Sequence, residues 1–358
     1  MILQEPSLLP AIVGVGARCA VGLTAPAAAA SVRAGISGFA EHAYMIDKAG
    51  QPMIVACEPT LDPKLQAADR FSRLARPAMT QALAPFANSG LGLQEVEVLI
   101  GMPERRPGLP GHIDDALRDL LPHLGLSKHR VEFFPRGNAA SLIALQHAEY
   151  RLQARKSRFC LVGGVDSYLT ADTLEWMDAE GILKSSANRN GFPPGEAAAF
   201  CLVTARSTAE ALGLCELGCV ETVASAREES PIRTETICVG LGLSRAIREA
   251  TAGLCLPEER IDESICDLNG EPYRSEEFAL TVLRTQLAFA DATRFVTPAD
   301  CWGDVGAASG PLFASLAVAA GLRGYAKGPR TLVWVSSIGG DRAAAILQIA
   351  SSTDRQFR

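Results

Sequence analysis

The stretch from Arg136 to Ser167 constrains the fold more strongly than any other part of the sequence, because it joins a helix and a strand that are both predicted to be buried. Small and apolar side chains recur on most faces in its first half, which predicts a helix buried nearly all round. Asn138 stands at the start of that helix, as expected of an N-cap residue. A short basic connector leads to an apolar strand, Phe159 to Val162, and Gly163-Gly164 predict a sharp turn at its carboxyl end.

A pattern of strand, helix, strand, long buried helix and strand pair occurs twice along the chain. It predicts two duplicated α/β halves, residues 1–206 and residues 207–358, in a layered α/β/α/β/α body. Residues 37–64 have a mixed composition that predicts an irregular excursion. Residues 103–112 are rich in proline and predict a loop.

Composition limits the function classes that remain. The chain has 358 residues, of which 48% are hydrophobic and 21% charged, which is typical of a globular protein with a large core. A net charge of -6 argues against nucleic acid or an anionic membrane as a partner. No apolar stretch of about 18 residues runs without charges or glycine breaks, so no membrane span is predicted. The N-terminus lacks the basic region of a signal peptide.

Cysteine and histidine usage predicts a cytoplasmic protein without a metal site. The ten cysteines are scattered, and several lie in apolar runs, which favours reduced and buried thiols. Cys215 and Cys219 form the only close pair in the sequence, and all five histidines precede residue 148. This spacing argues against a zinc site. No cofactor is predicted.

Three stretches of the chain resemble the ketosynthase (β-ketoacyl synthase) branch of the thiolase superfamily. They are DRFSRLARPAMTQAL at Asp69 to Leu83, the opening stretch with its LVGGVDS ending, and NRNGFPPGEAAAFCLV at Asn188 to Val203. In that family a cysteine nucleophile begins the buried central helix twenty-five residues before the glycine pair, and the same spacing runs here from Asn138 to Gly163. DLNGEPYRSEE, CWGDVGAASG and VSSIGGDRAA extend the resemblance weakly into the second half. The resemblance implies a thiolase-like, five-layered α/β/α/β/α fold made of two duplicated α/β halves.

The sequence departs from that family at every position that carries its chemistry. The resemblance implies a cysteine that takes an acyl chain and two histidines that assist decarboxylation of a malonyl thioester. Here the nucleophile position is Asn138, the two histidine positions are Asn269 and Asp304, and the expected lysine is Ala299. No alignment slip restores the histidines, because the chain has none after His147.

Two interpretations of these positions stay open. Asn138 is either a plain helix cap or an amide donor that polarises a thioester carbonyl. Glu271 is expected to converge with Asn269 and Asp304 near Asn138. The resulting cluster is either an acid and base pair or a hydrogen-bonded remnant of a lost site.

Four neighbouring residues complete the candidate site. Arg136 could bind a phosphopantetheine or carboxylate group, or else lie in solvent. Glu196 is expected to be buried and to cap neighbouring amides. Ser337 and Ile338 stand where the family usually has an aromatic gate residue, which argues against a conventional acyl gate.

These departures predict a β-ketoacyl-ACP synthase-like pseudoenzyme that does not condense and acts as an accessory or scaffold protein. Depleted chains with DLNGE and WGD loops are associated with bacterial type VI secretion, so the resemblance also implies handling of a secreted effector. One alternative is an acyl-thioester enzyme of the acyltransferase superfamily, either a malonyl decarboxylase or a hydrolase. The other is a chain-length-factor-like partner of an active ketosynthase.

The resemblance also implies partners. It implies a homodimer in which the strand Phe159 to Val162 pairs with its symmetry mate across a two-fold axis. An acyl carrier protein, an active ketosynthase and a secreted effector are the further partners expected.

Overall fold

The structure of the chain is a computed structural model that describes residues 6–87, 91–232 and 234–349. Within these residues the strands form one ten-stranded sheet and one two-stranded hairpin. The strands are β1 (Pro10–Cys19), β2 (Phe39–Ile46), β3 (Pro52–Ala56), β4 (Glu97–Met102), β5 (Val131–Pro135), β6 (Phe159–Ser167), β7 (Glu196–Ala205), β8 (Gly218–Arg227), β9 (Glu263–Cys266), β10 (Phe295–Val296), β11 (Arg330–Ser336) and β12 (Asp341–Ile349).

Helices connect these strands and cover both faces of the sheet. The α-helices are α1 (Ala25–Arg33), α2 (Ala67–Ala82), α3 (Ile113–Leu120), α4 (Ala140–Gln153), α5 (Ala171–Ala179), α6 (Arg206–Ala211), α7 (Leu241–Ala250), α8 (Pro272–Thr285), α9 (Ala299–Trp302) and α10 (Ser309–Leu322). Among the described residues, none of the helices is both long and apolar enough to span a membrane.

The large sheet consists of two five-stranded sets with the same pattern of pairing. The first set has the order β5-β4-β6-β7-β1, and the second has the order β10-β9-β11-β12-β8. In each set the first three strands are parallel and the last two are antiparallel to their neighbours. A short pairing of β1 with β8, in which Ala11 lies opposite Cys219, joins the two sets. This repetition is the duplication that the sequence predicts.

Three apolar clusters separate the layers. The central cluster contains α4, α10 and the inner faces of both strand sets. The second cluster packs α2 and α3 on the outer face of the first set. The third packs α7 and α8 on the outer face of the second set. The layer order is therefore α/β/α/β/α, as predicted.

Helix α10 is buried nearly all round, but α4 is not. In α4 the first two turns are buried, whereas the side chain of His147 is 50% exposed and Tyr150 is 61% exposed. The prediction that the helix after Asn138 is buried on most faces is therefore wrong for its second half. The exposed face carries large polar side chains, which snorkel to solvent while their small neighbours pack inward.

The glycine pair does not form the predicted turn. Gly163 and Gly164 lie inside β6, which continues to Ser167. A Cβ atom on Gly163 would lie 2.1 Å from the Phe200 ring, and one on Gly164 would lie 1.9 Å from the Ala307 carbonyl oxygen. The two glycines are required because neighbouring elements pack directly against the backbone of the strand.

The strand Phe159 to Val162 cannot pair with a symmetry mate, because it forms part of β6 and both edges of β6 are occupied. It pairs with β4 on one side and with β7 on the other. In the first set the end of the sheet is β5, whose only strand neighbour among the described residues is β4. The expectation of a dimer contact through Phe159 to Val162 is therefore wrong.

The segment of residues 37–64, which was predicted to be irregular, contains regular secondary structure. Residues 37–64 contain the antiparallel hairpin of β2 and β3, in which Phe39 lies opposite Ala56. Its strands expose Tyr44, Ile46 and Ile54. The sequence lacks a clean alternation of apolar and polar residues there, because this small sheet is only partly buried.

Candidate functional site

Asn138, Asn269 and Asp304 lie together at the carboxyl ends of parallel strands. Asn138 follows β5 in a short 3-10 turn that leads into α4, and Asn269 follows β9. Asp304 lies in the segment between α9 and α10. Parallel strands of a layered α/β fold carry their loops to one edge of the sheet, so residues far apart in sequence meet there. All three side chains are buried.

These three side chains form one hydrogen-bonded network with Glu271. Asn138 Nδ2 donates to Asp304 Oδ1 at 3.2 Å, and Asn269 Nδ2 donates to Asp304 Oδ2 at 2.7 Å and to Glu271 Oε2 at 3.1 Å. The Gly306 amide adds a bond to Asp304 Oδ1 at 2.8 Å, and the Glu271 amide donates to Asn269 Oδ1 at 3.1 Å. Both oxygens of Asp304 therefore accept hydrogen bonds from within the protein.

Asn138 does not cap the central helix. The residue that precedes α4 is Ala139, and the helix has no side-chain cap. The amide of Ala139 donates instead to Ser337 Oγ at 2.8 Å. The cap interpretation is wrong because the side chain of Asn138 turns towards Asp304 rather than back to the first turn. Its role as an oxyanion donor stays a prediction.

Ser337 connects the two halves behind Asn138, whereas Arg136 and Ile338 do not join the network. Ser337 Oγ donates to the Arg136 carbonyl oxygen at 2.5 Å in addition to accepting from Ala139. The side chain of Arg136 is 55% exposed and pairs with Asp341 at 3.4 Å. Ile338 is half-buried in the turn between β11 and β12. Arg136 is therefore a surface arginine with a carboxylate partner.

Glu196 occupies a separate buried site at the start of β7. It accepts two hydrogen bonds from Arg70 Nη1, at 2.9 and 2.8 Å, and one from Ser167 Oγ at 2.8 Å. The amide of Glu58 also donates to it, at 3.0 Å. Glu196 thus satisfies a neighbouring amide, as expected, and none of these partners belongs to the Asn138 network.

The cavity beside the network is very small. Its volume is about 10 Å³, and its lining includes Asn269, Asp304, Trp302 and Phe313. A cavity needs roughly 10–15 Å³ to hold one water molecule. The space next to the network therefore accommodates about one water molecule and no acyl chain.

The chain was compared with protein families, curated sequences and solved structures. The N-terminal domain of the β-ketoacyl synthase family matches residues 137–209, which begin at the turn that carries Asn138. No curated protein sequence matches the chain. Solved ketosynthases match almost its whole length in fold, as given below. The chain has a ketosynthase-like fold.

The solved structures are similar to this ketosynthase-like chain in fold. The ishigamide ketosynthase/chain length factor has a TM-score of 0.74 at 20% identity, over 96% of this chain and 100% of that chain. The ketosynthase from module 6 of the bacillaene synthase from Bacillus subtilis 168 has a TM-score of 0.77 at 14% identity, over 96% and 72%. A type II PKS ketosynthase in complex with its acyl-carrier protein has a TM-score of 0.75 at 13% identity, over 96% and 99%. The predicted thiolase-like fold is confirmed.

Sequence reasoning missed two charged members of the network in the ketosynthase-like chain, Arg274 and Asp267. Arg274 is buried, and its Nη1 donates to Asp267 Oδ2 at 2.9 Å and to the Ser336 carbonyl oxygen at 2.7 Å. Its Nε donates to Glu271 Oε2 at 3.1 Å. Both residues lie within DLNGEPYRSEE, the loop already singled out, so their charge in that loop was the available signal.

Burial and the charge of Arg274 shift the pKa of Asp267 in opposite directions. Loss of water around the carboxyl group raises the pKa of Asp267 to about 7, although the nearby Arg274 lowers it. Its Oδ1 has no hydrogen-bond partner among the described residues, and neither does Arg274 Nη2, which lies 3.9 Å from Asp304 Oδ2. The network therefore contains one carboxyl group that titrates near neutral pH.

One group of side chains in the described part of the chain has the spacing of metal ligands: Glu228, Cys238 and Glu277. Glu277 already accepts hydrogen bonds from Arg342 Nε at 2.7 Å and from Ser336 Oγ at 3.1 Å. Burial raises the pKa of the Cys238 thiol, which opposes formation of the thiolate that a metal requires. The donor set fits an internal ion pair better than a metal.

Proposed function

We propose that this ketosynthase-like protein does not condense acyl groups and acts through binding, as an accessory or scaffold protein. The network of Asn138, Asn269 and Asp304 carries the proposal. A ketosynthase needs a nucleophile that forms a thioester, and an amide cannot supply that covalent step. The carboxylate of Asp304 is occupied by internal donors, and the adjacent cavity of about 10 Å³ is too small for a substrate. The amides of Asn138 and Asn269 and both oxygens of Asp304 are engaged within the protein.

The test is a direct search for thioester chemistry. Purified protein is incubated with malonyl- and octanoyl-loaded acyl carrier protein, while released CO₂ and thioester loss are measured and the protein is examined by intact mass spectrometry. We expect no acyl adduct, no CO₂ and no thioester loss, with an active ketosynthase as the positive control. Turnover that Asn138→Ala abolishes, in a variant with the wild-type circular dichroism spectrum, would overturn the proposal.

The same assay tests the acyl-thioester enzyme as an alternative. A decarboxylase or hydrolase that used Asp304 or Glu271 would need an open pocket and a carboxylate-controlled pH-rate profile. The internal bonds of both carboxylates and the small cavity argue against it.

A chain-length-factor-like role is a second candidate. It is favoured by the similarity to a structure described as a ketosynthase/chain length factor, which is matched over its full length. Native mass spectrometry of the chain mixed with an active ketosynthase tests it. A heterodimer supports this role, and persistence of both proteins as separate species rejects it.

We propose that the isolated chain forms a homodimer through β5. This strand ends the sheet among the described residues, so its outer edge offers free backbone donors and acceptors to a second strand. Light scattering over a dilution series should show a dimer that Glu132→Pro weakens, because proline removes a donor and disrupts an edge strand. A monomer at every concentration would contradict the proposal.

We propose a reducing compartment such as the cytoplasm. All ten cysteines are free, and six of them are buried. In this setting the partners to test are an acyl carrier protein, an active ketosynthase and a secreted effector of the type VI system.

A further inference from the structure

A second cleft lies at the opposite end of the sheet from Asn138. It has a volume of about 540 Å³ and includes residues that immediately precede β4, β5 and β6, together with the end of β7. Volumes of roughly 300–1,000 Å³ are typical of small-molecule sites. Its polar lining includes Glu95, Arg130, Arg155, Lys156, Ser157 and Arg158.

The cleft concentrates positive charge on a protein with a net charge of -6. Four cationic side chains line it against one carboxylate, that of Glu95. Arg130 lies 3.9 Å from Glu97. In the described part of the chain, no ion pair is formed by Arg155, Lys156 or Arg158. Arg155, Lys156 and Arg158 are therefore exposed at one cleft without an ion pair to the described residues, although Lys156 Nζ donates to Tyr150 Oη at 3.3 Å.

A buried hydroxyl lies among these cations. Ser157 is 9% exposed and lines the cleft, and its Oγ has no nitrogen or oxygen partner at hydrogen-bond distance among the described residues. It interacts with the Cys160 thiol, which lowers the pKa of that thiol against the larger effect of burial. Sulfur is a weak hydrogen-bond acceptor, so a phosphate oxygen would be a stronger acceptor for the same hydroxyl proton. A buried hydroxyl without a strong partner costs stability unless a ligand satisfies it.

The backbone also keeps an arginine in an unfavourable conformation at this place. Arg155 has φ +53°, the only positive φ of a non-glycine residue among those described. It follows the last turn of α4, where the left-handed conformation is usually occupied by glycine. An L-residue in this conformation is strained, so the arginine at this position costs stability that glycine would not.

We propose that this cleft binds a small phosphorylated molecule through its phosphate group. Arginine binds phosphate oxygens with paired donors, and Lys156 and the Ser157 hydroxyl add further donors. Three cationic side chains within four consecutive residues match the concentrated charge of a phosphate group. The site is independent of the proposed function, because it lies at the other end of the strands.

Isothermal titration of the full chain with inorganic pyrophosphate at fixed ionic strength tests this site. We expect one binding event per chain. The variant R155G/R158Q should weaken it at least about tenfold, because each removes a charge-assisted contact. S157A should weaken it several-fold while leaving both arginines in place. The matched control is R76Q, which removes an exposed arginine from α2 and should leave binding unchanged.

Circular dichroism of each variant checks that the fold is retained, and glycine at position 155 tolerates the positive φ. Absence of pyrophosphate binding would overturn the proposal. Equal affinity in wild type and R155G/R158Q would overturn it as well. Binding of a hexaglutamate peptide without binding of pyrophosphate would assign the cleft to an acidic protein segment instead.

Discussion

At the carboxyl ends of β5 and β9, charged side chains are buried and bound to one another, whereas just before β6 the basic side chains of Arg155, Lys156 and Arg158 reach solvent without acidic partners among the described residues. In the first region Arg274 has three carboxylate neighbours, Asp267, Glu271 and Asp304. In the second, Arg155 and Arg158 have none that the described residues show. Buried and paired charges cannot be removed singly without loss of stability, while exposed and unpaired charges are free to serve a ligand. The difference separates the parts of the molecule that support folding from those that can bind.

Asp304→Ala should reduce stability more than any other variant considered, because it breaks the buried hydrogen-bond network. It removes the acceptor of Asn138, Asn269 and the Gly306 amide, and it leaves those donors buried without partners. We expect a loss of about 3–5 kcal/mol in the free energy of unfolding, measured by urea denaturation. Asp119→Ala, which removes an exposed carboxylate from α3, is the control and should change it by less than about 0.5 kcal/mol. A loss below about 1 kcal/mol for Asp304→Ala would contradict the prediction, because it would mean that the three donors find other partners or water.

Asp267 predicts that the stability of the protein depends on pH. The folded state holds the Asp267 proton up to about pH 7, while the unfolded chain releases it near 4. The folded state therefore binds more protons between these values, and the contribution of Asp267 to the free energy of unfolding falls as the pH rises. Asp267→Asn should reduce that decline by on the order of 2–4 kcal/mol. Denaturation of both proteins at pH 5 and pH 7.5 measures it, and identical slopes would contradict the raised pKa.

Arg155→Gly should change stability and binding in opposite directions. Glycine relieves the strain of the positive φ, so the free energy of unfolding should rise by up to about 1 kcal/mol. Pyrophosphate affinity should fall in the same variant. Thermal unfolding and calorimetry on one protein sample give both quantities. A stability loss would mean that the guanidinium group has an internal partner.

Arg158→Gln should have the smallest effect on stability. Its side chain is exposed and forms no ion pair among the described residues, so the free energy of unfolding should stay within about 0.5 kcal/mol of wild type. Urea denaturation with and without pyrophosphate measures how much the ligand raises the free energy of unfolding. The stabilisation by pyrophosphate should shrink in the variant, because the stabilisation depends on affinity.

Much of the fold could be predicted from the sequence, because long apolar helices and buried strands leave strong patterns. The strand Phe159 to Val162 was predicted and lies within β6, and the duplicated pattern of strands and helices was predicted as well. β5 was missed because it is a short strand of mixed composition at the sheet end. The glycine pair was misread as a turn because a close contact with Phe200 or Ala307 leaves no trace in local sequence.

The sequence predicted which residues form the candidate site better than it predicted their hydrogen-bond partners. The loops that carry Asn138, Asn269 and Asp304 were identified from motif spacing, and the structure brings the three together. Sequence reasoning offered a helix cap as one of two roles for Asn138 because asparagine commonly caps helices, whereas its bond to Asp304 spans 166 positions. Arg274 was missed because an arginine in a helix is normally exposed. The chemical roles of these residues stay predictions.

Gly164 lets a carbonyl group of one half sit against the backbone of a strand from the other half. Even a methyl group at this position would force β6 away from the segment around Ala307, whether or not any reaction occurs nearby. The requirement is therefore steric and independent of catalysis. A search pattern built on this glycine would retrieve chains that assemble this architecture, and would say nothing about which of them can make a carbon–carbon bond.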